Sequence, residues 1–151
     1  MEPSAGWFDG RTHHLPVRVY YEDTDFTGMV YHANYARYFE RGRSDFLRLT
    51  GLDHAALLVQ DSPSAFAVTR LVLDFIKPAR IDDALTVRTT FETAKGVRIT
   101  IAQALFRGEE QLAAGEVHVV CIDLAGRPRR PPPGLAQRLR PYLAATVDPA
   151  P

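Results

Sequence analysis

Tyr21–Arg43 reads YEDTDFTGMVYHANYARYFERGR, and its two halves obey different rules. From Tyr31 onward, Tyr31, Tyr35, Tyr38, Phe39, Gly42, Phe46 and Leu49 fall three or four apart. That spacing lines up one face of a helix. Arg37, Arg41 and Arg48 lie off the stripe, and Gly51 supplies a stop. The spacing predicts one long helix from Tyr31 to Leu49, about five turns. Just before it stand Glu22, Asp23 and Asp25, then Gly28.

The chain on either side reads mostly as strands. LPVRVYYED, from Leu15, alternates valine and tyrosine with polar residues and offers a first strand. SAFAVTRLVLDFI is rich in β-formers and ends at Pro78. Leu85, Val87, Thr89 and Phe91 then alternate with Thr86, Arg88, Thr90 and Glu92. VRITIAQALF and QLAAGEVHVVCIDLAG follow, separated by the short glycine turns AKG and RGEE, which predict antiparallel hairpins. RPRRPPP is a stiff break, and GLAQRLRPYLA suits a short terminal helix.

The layout is therefore α+β, with one apolar helix face against one apolar face of a curved antiparallel sheet. Residues 1–14 show no period and are expected to form a flexible arm. One domain is expected over 15–145, followed by a frayed tail over 146–151. A strand left at the sheet edge needs cover, which predicts a homodimer or a homotetramer.

Bulk properties narrow the classes. The 151 residues are 46% hydrophobic and 24% charged, with zero formal net charge, a globular balance that gives no electrostatic reason to expect nucleic acid. No apolar run approaches the ~18 residues of a membrane span. The N-terminus has no charged start followed by an apolar run, so no signal peptide is expected. Cys121, the single cysteine, has no partner for an internal disulfide, and a reducing, cytoplasmic setting is expected.

The opening stretch also carries chemistry. A helix starting near Tyr31 leaves its first N–H groups without internal acceptors, at the positive end of the helix dipole. Such an end receives an anion, or an oxygen that becomes anionic during reaction. Gly28 permits a sharp turn and the close approach of a ligand. Asp25 beside that end suits acyl transfer, by attack on a carbonyl or by activation of water. The same residue also suits a plain turn or cap, bonding nearby amides. The residues by themselves leave both readings open.

A family resemblance bears on that choice. VRVYYEDTDFTGMVYHANYARYFERGR resembles the signature of hotdog-fold acyl-CoA thioesterases. The likeness is greatest to the Tol–Pal-associated YbgC type, which is similar to 4-hydroxybenzoyl-CoA thioesterase. It runs through Thr24-Asp25, Gly28, Tyr31-His32, Tyr35, Phe39-Glu40 and Arg43. FIKPARIDDAL from Phe75 and VVCIDLAGRPR from Val119 extend it.

The resemblance implies the hotdog fold, a long helix wrapped by a curved antiparallel sheet. It implies hydrolysis of an acyl-CoA thioester, with no cofactor beyond the coenzyme A of the substrate and with sites between paired subunits. Asp25 takes the position of the catalytic carboxylate, and the His32 amide that of the group polarising the thioester carbonyl. The His32 side chain either orients water or the leaving thiolate, or is structural. Gly28, Val30, Tyr31 and Tyr35 take the substrate-binding positions. Phe26 and Thr27 are larger than the family's usual small pair, which bears on substrate size. The Tol–Pal association concerns neighbouring genes and implies no contact between proteins.

Other candidates rank lower. Glu40 lies eight residues beyond His32, ~12 Å along a helix, and reads as a partner for Arg37 or Arg43. His13, His14 and His54 have no metal-ligand spacing. His118 reads as structural and Cys121 as a buried small hydrophobe. Arg70, Lys77, Arg80, Arg127, Arg129 and Arg130 are available for coenzyme A phosphates, though each also suits ordinary solvated surface. Two other classes are weighed: a hotdog dehydratase, whose H-F-P-G-like turn is missing, and a non-catalytic acyl-CoA-binding protein, which has no need of Asp25.

Overall fold

The computed structural model describes residues 5–52 and 54–144. Among them, six strands form one antiparallel sheet: β1 (Trp7–Asp9), β2 (Thr12–Arg18), β3 (Ala65–Phe75), β4 (Ala84–Lys95), β5 (Arg98–Arg107) and β6 (Glu110–Ile122). Their spatial order is β1-β2-β4-β5-β6-β3. The long helix α1 (His32–Leu49) packs against β2 and β4. Short helices α2 (His54–Leu58) and α3 (Pro133–Leu139) complete the layout. The expected long helix on a curved antiparallel sheet is what forms.

The helix stripe makes the core. Tyr35, Tyr38, Phe39, Gly42 and Phe46 are buried, whereas Tyr31 and Leu49, at its two ends, stay exposed. From the sheet, Leu85, Val87 and Phe91 meet the helix on alternate positions, as the strand period requires. Each fully buried Phe or Leu removes apolar surface worth about 1.5–3 kcal/mol. Gly42 sets how closely the layers approach: a Cβ there would stand 2.7 Å from Val87 Cγ1 and 2.8 Å from Thr89 Oγ1.

The hairpins follow their turn chemistry. Gly96 and Gly108 open two-residue loops with φ of 61° and 62°, a backbone region that favours glycine.

The N-terminus departs from expectation. Residues 7–14 do not form a loose arm: Trp7–Asp9 pairs with Thr12–His14 as a hairpin on the sheet edge. The reason lies in contacts distant in sequence. Phe8 packs on Phe46 and Tyr142 with ring centroids 4.9 and 4.3 Å away. His13 is fully buried, and Asp45 holds it from α1. Residues 1–4 and the tail expected over 146–151 lie outside the described residues.

Candidate active site

The loop between β2 and α1 is built by its own polar groups. Val19, just past β2, is buried and its amide bonds Asp83 O. Tyr21–Asp23 forms a single 3-10 turn, closed by Tyr20 N donating to Asp23 Oδ2 at 2.8 Å. The Asp23 carbonyl then accepts from Tyr31 N at 2.9 Å and from Asn34 Nδ2 at 2.8 Å. Asp23 thus clamps the loop to the first turn of α1. Asp23 is itself buried, at 8% exposure.

Between Thr24 and Val30, which bridge each other, the chain makes a tight excursion. Gly28 N bonds Asp25 O and Asp25 N bonds Met29 O, with Gly28 at φ 81°. An L side chain is strained at that angle, so glycine belongs there. Asp25 projects from this excursion into solvent. Its Oδ1 accepts from Thr27 N at 2.8 Å and Thr27 Oγ1 at 2.5 Å. The Thr27 hydroxyl, then the Thr27 amide, hold the Asp25 carboxyl below the usual carboxylate range, and His32 adds a smaller pull. The carboxylate form is the stable one.

At the helix start, Asn34 N turns back to Tyr31 O. The amides of His32 and Ala33 find no backbone acceptor among the described residues, as expected for a first helical turn. His32 is exposed, and its ring meets Tyr31 edge-on at 4.4 Å. The excursion and the helix start therefore share one surface, carrying an ionised acid and two free amides.

The other sequence candidates disperse. Val30 and Tyr35 face the core, at 6% and 4% exposure. The Tyr35 hydroxyl accepts from Ala79 N and its ring packs on Phe75 at 5.1 Å. Phe26 is fully exposed. Glu40 accepts from Ser44 Oγ at 2.5 Å, and its charge acts on the Arg43 guanidinium without a direct ion pair among the described residues. Arg43 instead donates to Gln103. Cys121 is buried, and burial pushes its thiol up. Lys77 pairs with Glu110 at 2.8 Å, and Arg129 donates to the carbonyls of Ser62 and Pro63. Arg70, Arg80, Arg127 and Arg130 are exposed.

Two clusters escape sequence reading. His13 meets Asp45 at 2.7 Å in a buried site, and His54 Nε2 comes within 3.3 Å of Ser44 Oγ. The four-residue spacing of Glu40 and Ser44 was a visible signal for one contact. Both histidines reach α1 only through the tertiary fold.

Residues 19–139 match the family model of the thioesterase-like superfamily. The chain belongs to that superfamily. It is 43% identical over 110 residues to the acyl-CoA thioesterase YbgC of Haemophilus influenzae, covering 73% of this chain and 80% of that one. It is 37% identical over 127 residues to the acyl-CoA thioester hydrolase YbgC of Escherichia coli, covering 83% and 93%. The crystal structure of a probable thioesterase from Bartonella henselae superposes with a TM-score of 0.78 at 41% identity, covering 80% of this chain and 99% of that one. Thioester hydrolysis is thus the enzyme class of this chain, and its helix-on-sheet architecture is the hotdog fold. No helix among the described residues is long and apolar enough to cross a membrane.

Proposed function

We propose that the protein hydrolyses an acyl-CoA thioester to the free acid and coenzyme A, with Asp25 as the reacting carboxylate. The observation that carries this is the pairing on one surface of an ionised Asp25 with the acceptor-free amides of His32 and Ala33. Those amides, at the positive end of α1, suit the oxygen that becomes negative when the thioester carbonyl is attacked.

Two routes use this geometry. In one, an Asp25 carboxylate oxygen attacks the carbonyl carbon, the C–S bond breaks to release the coenzyme A thiolate, and water hydrolyses the mixed anhydride. In the other, Asp25 takes a proton from water, whose oxygen attacks the carbonyl carbon directly, and the C–S bond then breaks to release the coenzyme A thiolate and the free acid. A single turnover in oxygen-18 water tests the first route, since attack of water on the aspartyl carbonyl of the anhydride leaves label in Asp25, which the second route never does. The His32 imidazole, exposed beside both groups, is suited to orienting water or the departing sulfur. Gly28 and Tyr31 border the approach of the substrate.

The family pairing is supported by β3, an edge strand carrying exposed Val68, Leu71 and Phe75, followed by exposed Ile76. An apolar strand edge of this kind calls for cover by a second copy, giving a homodimer, or a homotetramer built from two dimers. The Thr27 bonds to Asp25 also suit a plain turn, which favours acyl binding without hydrolysis as the second reading. Thiol release from acyl-CoAs tests the two: sustained release supports the hydrolase, and binding without release supports the alternative.

A further inference from the structure

The chain has eight phenylalanines, and all but Phe26 are buried, packed on another ring or covered by Arg88. A lone apolar side chain in water is ordinary on a protein surface. The position of this one is not. Phe26 stands at the tip of the excursion, between Asp25 and the Thr27 that holds its carboxylate. Turn tips usually carry glycine, proline, asparagine, aspartate or serine, each for its backbone angles or its local hydrogen bonds. Phenylalanine supplies neither.

The backbone beneath the ring is held on every side. Asp25 N donates to Met29 O at 3.1 Å, Gly28 N to Asp25 O at 3.0 Å and Val30 N to Ala79 O at 2.8 Å. Met29 also bridges Arg80. The ring is thus presented to solvent on a fixed loop. Two more exposed aromatics stand on the arms of the same loop: Tyr21, whose carbonyl accepts from Thr24 N, and Tyr31, whose amide donates to Asp23 O.

The chemistry of Asp25 brings a ligand to this ring. Both Thr27 bonds fall on Asp25 Oδ1, and among the described residues no donor is bonded to Oδ2. Oδ2 is therefore the oxygen left to react. Reacting atoms approach to ~3–3.5 Å, and neighbouring Cα atoms are only ~3.8 Å apart. Whatever is bonded to the carbonyl carbon then falls within reach of the Phe26 ring, directly or across one water. On one side of that carbon is sulfur, leading into an amide-bearing carrier arm. On the other is the hydrocarbon of the acyl group. An apolar ring gains most by taking hydrocarbon out of water.

Building on the thioesterase reading, we propose that Phe26 is a specificity-determining residue that contacts the first carbons of the acyl group, so that it favours larger apolar acyl groups over acetyl.

The test uses the full chain, wild type, Phe26→Ala and Phe26→Leu, with acetyl-CoA, butyryl-CoA, benzoyl-CoA and palmitoyl-CoA. Fold is checked by circular dichroism, mass by light scattering and binding of free coenzyme A by calorimetry. The wild type should favour at least one larger thioester over acetyl-CoA in kcat/KM. Phe26→Ala should lose at least about tenfold on that substrate, with the loss smallest on acetyl-CoA and coenzyme A binding unchanged. Phe26→Leu, which keeps an apolar side chain, should lose less. Equal losses on every thioester with weakened coenzyme A binding would place the ring on the carrier arm instead. Losses that accompany a fall in mass would assign it to a contact between subunits. Either result, no loss on any thioester, or a wild-type preference for acetyl-CoA would overturn the inference while leaving the hydrolase intact. No hydrolysis of any thioester by the wild type would overturn the thioesterase reading and this inference with it.

Discussion

His13 and Asp45, thirty-two residues apart, meet at 2.7 Å in a site closed to solvent. The same Asp45 oxygen accepts from Gly6 N at 2.8 Å, and its other oxygen takes Arg48 at 3.3 Å. One helix carboxylate therefore fastens the N-terminal hairpin onto α1. His13→Ala strands part of that buried charge and should cost about 3 kcal/mol, read as a lower midpoint in urea with an unchanged slope. An unaltered midpoint would show that the His13–Asp45 contact adds little to what Phe8 and the Gly6 amide already hold.

The pH dependence of stability follows from the same site. Burial pushes the His13 imidazole below its ordinary value, against the pull of Asp45, and burial followed by Arg88 does the same to His14. Unfolded, both take a proton near pH 6.5; folded, they resist it. The unfolded chain therefore binds more protons below that pH, and folding stability, complete above it, declines as the solution is acidified. Urea midpoints should fall between pH 7.5 and 5.5. A His13→Asn, His14→Asn double variant should show a flatter profile across that window.

Gly42 offers a packing test. In Gly42→Ala the new methyl collides with Val87 and Thr89 on β4, so α1 must move off the sheet. Overpacking of this kind costs about 1–3 kcal/mol, enough to offset the ~1 kcal/mol gained from replacing a mid-helix glycine. Net destabilisation in a urea melt is expected; net stabilisation would mean that the layers are less tightly fitted.

Thr27 sets the ionisation of Asp25. Its hydroxyl contributes the largest pull holding that carboxyl down, followed by its amide. In the proposed role Asp25 is needed as the carboxylate, so activity should be complete above its pKa and fall as pH drops through it. Thr27→Ala removes the hydroxyl and keeps the amide. The acid limb of the kcat/KM profile should therefore move to higher pH, toward the ordinary carboxylate range. An unmoved limb would assign it to another group.

The helix and the sheet were legible because their signals are local and periodic. Tyr35, Tyr38, Phe39 and Phe46 repeat at helical spacing, and Gly96 and Gly108 sit where hairpin loops require them. The β1 strand was not legible. Three residues between Gly6 and Gly10 carry no period, and Phe8 and His13 are held by partners on α1 and near the C-terminus. Glu40 was legible in part: charge suggested an arginine, and its field does reach Arg43, while the helix turn supplied Ser44 as the hydrogen-bond donor. At Asp25 local physics supports a turn as well as a reactive acid, since an exposed carboxylate bonded by Thr27 serves either. The residue-by-residue likeness to a family is what separates it from Glu22 and Asp23.

The most direct measurement is thiol release from butyryl-CoA, benzoyl-CoA and palmitoyl-CoA by wild type and Asp25→Asn, with circular dichroism and substrate binding measured on both. Turnover by the wild type that falls at least about a hundredfold in the variant, with fold and binding retained, is the predicted result. Equal turnover by the two proteins would contradict the role of Asp25, and release by neither would contradict the hydrolase itself.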